Sequence, residues 1–290
     1  MASNLSREKL LFYAVAGGLG GLAAWGAAES FLGIRSVYAR DLLLGALIGF
    51  FIGAFLACIE AMSVGQWRQA LRGVRTGGII GALGGALGLL VGEFAFDILG
   101  GFNGRVLGWS VLGILVGWGV GWASRSTARQ RNGVIGGLVG GALGGFFYQS
   151  LTATFPQAFG RAIAIVVLGA LIGFFIGLVG ELLKRGWLMV VRSQSRNARE
   201  GREYPLSKSV TIIGRAEECD IGLFGDKSVL GHHAIIRQEG RSYYISPTGG
   251  GQVLVNRQPI AGRAPLKSGD RVEVGGTLFL FRERAHVAQS

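Results

Sequence analysis

Long hydrophobic stretches alternate with short polar segments over the first two thirds of the chain. An α-helix needs about 20 apolar residues to cross the hydrocarbon core of a bilayer. The pattern therefore predicts about six transmembrane helices within residues 1–192. The fifth stretch is the least hydrophobic because glycine dominates it, and a re-entrant segment is the alternative there. The predicted spans are 11–31, 42–62, 77–97, 106–124, 133–151 and 162–183.

The pattern changes after residue 192. Residues 193–200 are polar and predict a linker. Residues 201–284 contain short runs rich in β-branched and aromatic residues, separated by Gly, Asp, Asn and Pro, which is typical of a β-sandwich. The predicted fold class is therefore a glycine-rich α-helical bundle followed by an all-β sandwich, with 285–290 as a tail. The predicted strands are 210–213, 220–224, 234–238, 242–246, 252–256, 271–274 and 277–282.

Glycine accounts for 52 of the 290 residues, and many glycines recur at every fourth position. Such glycines share one helix face, where the absence of side chains lets a neighbouring backbone approach closely. The segment 45–53 recurs letter for letter as 169–177, and Gly113, Gly117 and Gly121 form a looser third copy. The three copies indicate three hairpin repeats, each an odd helix and the next even one. This pattern predicts a glycine zipper. The predicted packing positions are Gly45, Gly49, Gly53, Gly113, Gly117, Gly169, Gly173 and Gly177.

A polar residue ends each odd helix, and an arginine begins the following even helix. We interpret each pair as a contact at the outer membrane interface that clamps one hairpin. A carboxylate-lined path for an ion or substrate is the alternative, because ionisable groups inside membrane domains often mark such paths. The three predicted pairs are Glu29 with Arg40, Glu93 with Arg105, and Gln149 with Arg161.

The net charge is +12, and the basic residues concentrate in alternate loops between the hydrophobic stretches. By the positive-inside rule this places both termini in the cytoplasm, and we expect a multi-pass protein of a bacterial inner membrane. The basic residues form no continuous face, so nucleic acid is not an expected partner. The two cysteines, Cys58 and Cys219, cannot form a disulfide framework.

Spaced sequence blocks in the C-terminal domain resemble one family. They are Thr211-Ile-Ile-Gly-Arg, Cys219-Asp-Ile, His233-Ala-Ile-Ile, Val255-Asn and Leu266-Lys-Ser-Gly-Asp-Arg-Val-Glu-Val-Gly. In this order they resemble the forkhead-associated (FHA) family over most of residues 201–284. The resemblance implies a sandwich of about eleven strands whose loops at one end bind phosphothreonine peptides. It also implies that Arg215 faces the peptide and that a buried His233 braces a loop.

Other positions depart from the family's phosphate pocket. Leu230 stands where the family has a serine, Gly231 replaces an often basic residue, and glycines replace an Asn-Gly pair. A phosphate needs charge-assisted donors to offset its desolvation, so the pocket is partly degenerate. Phosphate-dependent and phosphate-independent protein binding both remain open. The candidate peptide or phosphate contacts are Arg215, Lys227, Ser228, Gly231, Gly250, Gly251 and Asn256.

These observations predict a membrane-anchored signalling adapter, with the lipid bilayer and a cytoplasmic protein, threonine-phosphorylated or not, as its partners. A transporter or channel with an FHA-like regulatory domain is the alternative, and a homo-oligomer is left open. We expect no enzymatic activity, since no nucleophile–base pair is evident. We also expect no cofactor and no metal, because the adjacent His232 and His233 point to opposite faces of a strand.

Overall fold

A computed structural model describes residues 2–31, 33, 35–63 and 65–284. The chain divides into a helical unit and a β unit. Within the described residues, six α-helices are long and apolar enough to cross a membrane, which confirms the predicted helix count. They are α1 (Ala2–Ala28), α2 (Val37–Ser63), α3 (Trp67–Leu99), α4 (Gly101–Ala123), α5 (Thr127–Thr154) and α6 (Gln157–Leu182), with a 3₁₀ turn at Glu29–Phe31.

The helices extend beyond the predicted spans because hydropathy marks only the part of a helix that suits a bilayer. The helix α3 begins at Trp67 and carries three arginines in its first turns, ahead of the predicted start at residue 77. The helix α5 is continuous, so the re-entrant alternative is wrong. It buries seven glycines and Asn132, which explains how a helix of low hydrophobicity packs closely.

The six helices form a closed ring in which each contacts the next and α6 returns to α1. The even helices α2, α4 and α6 also contact one another across the ring. Their side chains supply most of one hydrophobic cluster, in which Ile52, Leu112 and Leu168 are fully buried. The centre of the ring is therefore filled by apolar side chains.

Glycine faces lie where each even helix meets the next odd helix. A Cβ atom at Gly49 would lie 1.9 Å from the carbonyl oxygen of Gly81, and one at Gly117 would lie 1.9 Å from that of Gly133. These contacts join one predicted hairpin to the next. The remaining candidates approach neighbouring helices as follows: Gly45 to Gly85, Gly53 to Gly77, Gly113 to Gly137, Gly169 to Gly17, and Gly173 and Gly177 to Tyr13.

Polar side chains at the helix ends also join one predicted hairpin to another. Arg161 donates to Glu29 at 2.7 Å, and Arg105 donates to the Gln149 side-chain oxygen at 3.0 Å. Arg40 instead contacts Asp41 at 3.4 Å. The predicted pairing within each hairpin is therefore wrong. The tight glycine interfaces bring the start of an even helix to the end of an odd helix of a different hairpin.

The β unit is a sandwich of two sheets, and the described residues form eleven strands. One sheet has the order β2-β1-β11-β10-β7-β8 and the other β4-β3-β5-β6-β9. All strand pairs are antiparallel except β3 with β4. The strands are β1 (Gly186–Arg192), β2 (Glu203–Pro205), β3 (Val210–Gly214), β4 (Ile221–Gly222), β5 (Ala234–Glu239), β6 (Ser242–Pro247), β7 (Val253–Val255), β8 (Gln258–Ile260), β9 (Ala264–Leu266), β10 (Arg271–Val274) and β11 (Thr277–Glu283).

The sandwich begins earlier than predicted. The strand β1 pairs with both β2 and β11, and its Leu188 and Val190 are buried in the sandwich core. Hydropathy assigns residues 186–192 to the transmembrane domain because they continue the hydrophobic character of α6, although their alternating burial has the period of a strand. The boundary of the β unit lies at residue 184, and the predicted division at 192 is wrong.

Residues 193–200 are packed rather than extended as a free linker. Asn197 donates to the Gly222 carbonyl at 2.7 Å and accepts from the Phe224 N–H at 3.0 Å. Ser195 and Ala198 are buried. This segment therefore belongs to the sandwich, and the predicted tail 285–290 lies outside the described residues.

Candidate functional site

Three loops meet at one end of the sandwich. They are the β3–β4 loop (215–220), the β4–β5 loop (223–233) and the β6–β7 loop (248–252). The Arg215 N–H donates to the Leu230 carbonyl at 2.8 Å, and the Ala216 N–H donates to the Gly231 carbonyl at 3.0 Å. The Thr248 N–H donates to the His233 carbonyl at 2.9 Å. Backbone hydrogen bonds therefore connect the three loops.

Gly214 allows the first two loops to approach each other. A Cβ atom there would lie 2.0 Å from the Gly231 carbonyl oxygen, so a larger residue would separate the loops. The Cys219 thiol also donates to this oxygen, at 3.1 Å. Burial raises the pKa of Cys219 to about 11, so the thiol stays protonated and serves packing rather than reactivity.

His233 connects the second and third loops from inside. Its side chain is buried, its Nδ1 accepts from the Leu230 N–H at 3.1 Å, and its Nε2 lies 2.9 Å from the Gln252 carbonyl oxygen. These two partners assign the neutral tautomer with hydrogen on Nε2, since a carbonyl can only accept. Gly251 leaves room for the ring, because a Cβ atom there would lie 2.8 Å from His233 Cδ2.

Asp226 organises the middle of the β4–β5 loop, and the sequence analysis missed it. One carboxylate oxygen accepts from the Ser228 N–H at 2.9 Å and its hydroxyl at 2.5 Å. The other accepts from the Gly276 N–H at 2.8 Å. Burial opposes the charge, but these hydrogen bonds outweigh it and lower the pKa of Asp226. The Asp-x-Ser spacing, which suits an Asx turn, was the available signal.

The exposed surface of this end combines cationic, acidic and apolar groups, and its acidic Glu218 lies 3.7 Å from His232. Arg215, Lys227 and Leu230 are exposed, and a Cβ atom at Gly231 would meet nothing within 4 Å. Gly250 is exposed with φ of 82°, a conformation that favours glycine. The Ser228 hydroxyl donates to Asp226, so its proton is already used within the loop. This end therefore offers the Arg215 guanidinium, the Lys227 ammonium and open space at Gly231.

Asn256 lies at the other end of β7, away from the three loops. It occupies the β7–β8 turn with φ of 52°, donates to Asp270 at 2.9 Å and accepts from the Arg271 N–H at 3.0 Å. The structure therefore does not bring Asn256 together with the other candidate peptide or phosphate contacts. Both hydrogen-bonding groups of its amide stabilise the turn and the start of β10.

The β unit matches a known domain family. A family model described as an FHA domain matches residues 211–275. The C-terminal domain is an FHA domain. FHA domains as a family are phosphothreonine-binding modules, and this one follows six helices able to span a membrane. The FHA match begins at β3, so β1, β2 and the packed segment 193–200 lie before it.

Solved structures show similar domains. The FHA domain of CT664 from Chlamydia trachomatis is 28% identical with a TM-score of 0.31, and the match covers 35% of this chain and 99% of that one. A domain studied for phosphothreonine-dependent FHA interactions is 24% identical with a TM-score of 0.31, and the match covers 35% of this chain and 99% of that one. The FhaA FHA domain, solved in complex with the intracellular domain of Rv3910, is 24% identical with a TM-score of 0.29. The match covers 33% of this chain and 99% of that one. No curated protein matches the chain.

Proposed function

We propose that the protein is a membrane-anchored adapter whose FHA domain binds a protein partner through the loop end around Arg215, with a weakened phosphate pocket. The observation that carries this proposal is the exposed side chain of Leu230, beside the unoccupied space at Gly231. At these two positions the FHA family has a serine hydroxyl and often a basic side chain, which can donate to a phosphate.

Two exposed cations at this end suit an acidic or phosphorylated segment. Arg215 supplies a guanidinium, which binds carboxylate or phosphate in a bidentate manner, and Lys227 supplies a second cation. Leu230 supplies apolar surface that a phosphate cannot use. We therefore expect the peptide backbone and apolar side chains to contribute more affinity than the phosphate does.

The helices would hold this binding module at the inner membrane of a bacterium, with both termini in the cytoplasm. The alternation of basic loops supports this orientation. The apolar centre of the helix ring gives the transporter alternative no support, because Ile52, Leu112 and Leu168 are fully buried there. A binding role also needs no catalytic residue and no cofactor.

The test uses the full-length protein in lipid nanodiscs with two peptide libraries of matched sequence, one carrying phosphothreonine and one threonine. Fluorescence anisotropy should show peptides that bind with a phosphate preference below about tenfold. Arg215→Ala should weaken this binding, whereas Arg241→Ala, an exposed arginine at the opposite β5–β6 turn, should not. Micromolar binding with a preference of about a hundredfold or more for phosphothreonine would contradict the weakened pocket.

A further inference from the structure

A groove lies between α3 and α4 near the start of α3 and the end of α4. Its volume is about 480 Å³, and three arginines line it at one end and isoleucines at the other. It lies entirely within the helical unit. The lining residues are Arg72, Arg75, Thr76, Ile79, Ile80, Trp122, Ala123 and Arg125.

Charge gives way to apolar surface along the α3 side of the groove. Arg72, Arg75 and Ile79 follow the spacing that places residues on one helix face. The Ile79 side chain is 50% exposed, and so is Trp122 on the facing helix. Tryptophan is enriched where membrane helices meet the headgroup layer. The groove therefore has a cationic end and an apolar wall, as an amphipathic ligand requires.

The charge in this groove is not balanced by its lining. Among the described residues, no acidic side chain lines it. The contact between α1 and α6 on the same side of the bundle differs, because Lys9 lies 3.6 Å from Glu181 there. The α3–α4 groove thus presents three positive charges toward an anionic ligand.

Arg125 is held in a conformation that favours glycine. It follows the end of α4 with φ of 53°, and its N–H donates to the Trp122 carbonyl at 2.9 Å. Glycine is the usual residue at this position after a helix because other residues clash there. An arginine at a strained position that also lines the groove indicates a use for its side chain.

We propose that this groove binds the phosphate-bearing headgroup of an anionic phospholipid, with the arginines on the phosphate and the acyl chains along Ile79 and Trp122. The inference rests on the helices crossing a bilayer, which is part of the proposed function. Basic pockets between membrane helices bind anionic headgroups in this way. A soluble phosphate shares the headgroup chemistry but would leave the apolar wall without a partner.

The test titrates detergent-solubilised full-length protein with phosphatidylglycerol, phosphatidylcholine or inorganic phosphate and counts bound molecules by native mass spectrometry. We expect a preference of about tenfold or more for phosphatidylglycerol over phosphatidylcholine. Arg72→Gln with Arg75→Gln should lower phosphatidylglycerol affinity about 25-fold, at about fivefold for each charge removed. The matched control, Arg7→Gln with Arg131→Gln, removes two exposed arginines elsewhere on the bundle. It should change the phosphatidylglycerol affinity less than twofold.

Arg125→Gly separates binding from folding. Glycine suits the backbone at this position, so the melting temperature should stay equal or rise while phosphatidylglycerol affinity falls about fivefold. Unchanged affinity in this variant and in the Arg72 and Arg75 double variant would overturn the site. Full displacement of phosphatidylglycerol by millimolar inorganic phosphate would overturn the lipid assignment. Peptide binding by the FHA domain should be unaffected throughout, so failure here is distinct from failure of the proposed function.

Discussion

Leu230 and Gly231 determine how the loop end of the FHA domain treats a phosphate group. Both residues are exposed, and their backbone carbonyls accept from Arg215 and Ala216. The backbone of the site is therefore formed although two of its expected side-chain donors are missing. Restoring those donors tests whether the missing side chains alone weaken the pocket.

Leu230→Ser combined with Gly231→Arg should raise affinity for a phosphothreonine peptide library about tenfold or more. Charge-assisted hydrogen bonds contribute about 1.5–3 kcal/mol each, and the space around Gly231 admits a side chain. Calorimetry on the full-length protein measures the gain, and adding Arg215→Ala should remove it. An unchanged affinity would show that the loops hold the new donors away from the phosphate.

Asp226→Asn should destabilise the FHA domain by about 1–3 kcal/mol near neutral pH, because the carboxylate accepts from Ser228 and Gly276. The folded pKa lies below the ordinary value of 3.8, so the native carboxylate favours folding above pH 3.8. This contribution is lost as the pH falls from 3.8 through the lower folded pKa. Pulse proteolysis in urea should show the difference between the two proteins shrinking as the pH falls below 3.8, and a constant difference would contradict this.

The sequence identified some residues of the site and misplaced others for a physical reason. Motif spacing indicated Arg215 and His233, which the structure places at the loop end. Asn256 also stands in a family block, but a strand separates it from the loops, and local sequence does not reveal the end of a strand at which a turn lies. Asp226 acts on Gly276, which is distant in sequence, so its second partner was invisible.

At the scale of the element, the interface between α2 and α3 depends on the absence of side chains. Gly49→Leu should lower the stability of the bundle in detergent by about 1–3 kcal/mol, because a Cβ atom there meets the Gly81 carbonyl oxygen at 1.9 Å. The matched control is Gly180→Leu, since a Cβ atom at that helical glycine meets nothing within 4 Å. Equal melting temperatures for the two variants would contradict the close approach.

The strand β1 should be essential to the sandwich. A fragment that starts at Lys184 should fold, whereas one that starts at Gly201 should not, because it lacks the central partner of β2 and β11. It would also lack Leu188, and removal of a large core side chain alone costs about 2–5 kcal/mol. Circular dichroism and amide NMR spectra distinguish the two outcomes. Cooperative unfolding of the shorter fragment would show that β1 only covers the sheet edge.

Sequence patterns predicted the long elements better than the short ones. Each bilayer-length stretch became a helix, whereas β2, β8 and β9 were not predicted because each has three residues, one of them proline. The strand β1 was assigned to the wrong domain because hydrophobicity continues from α6 into it. Hydropathy reports burial, and it cannot distinguish burial in lipid from burial in a protein core.

For the whole molecule, the orientation in the membrane stays a prediction. Thr127→Cys and Glu200→Cys should react with an impermeant maleimide from the cytoplasmic side, and Ser36→Cys and Gln157→Cys from the opposite side. All four positions are exposed, and the native Cys58 and Cys219 are buried, so the background should be low. Labelling of Thr127→Cys from the outer side of intact cells would invert the topology.

Closure of the helix ring has a consequence for the order of synthesis. Gly17 on the first helix packs against Gly169 on the last, so the first helix lacks its final neighbour until the sixth has been made. At about 5–20 residues per second, translation of the intervening chain takes roughly 8–30 seconds. During that interval lipid or the insertion machinery must shield the exposed glycine face of the nascent first helix. Because of this delay, ring closure is the last step in assembly of the bundle.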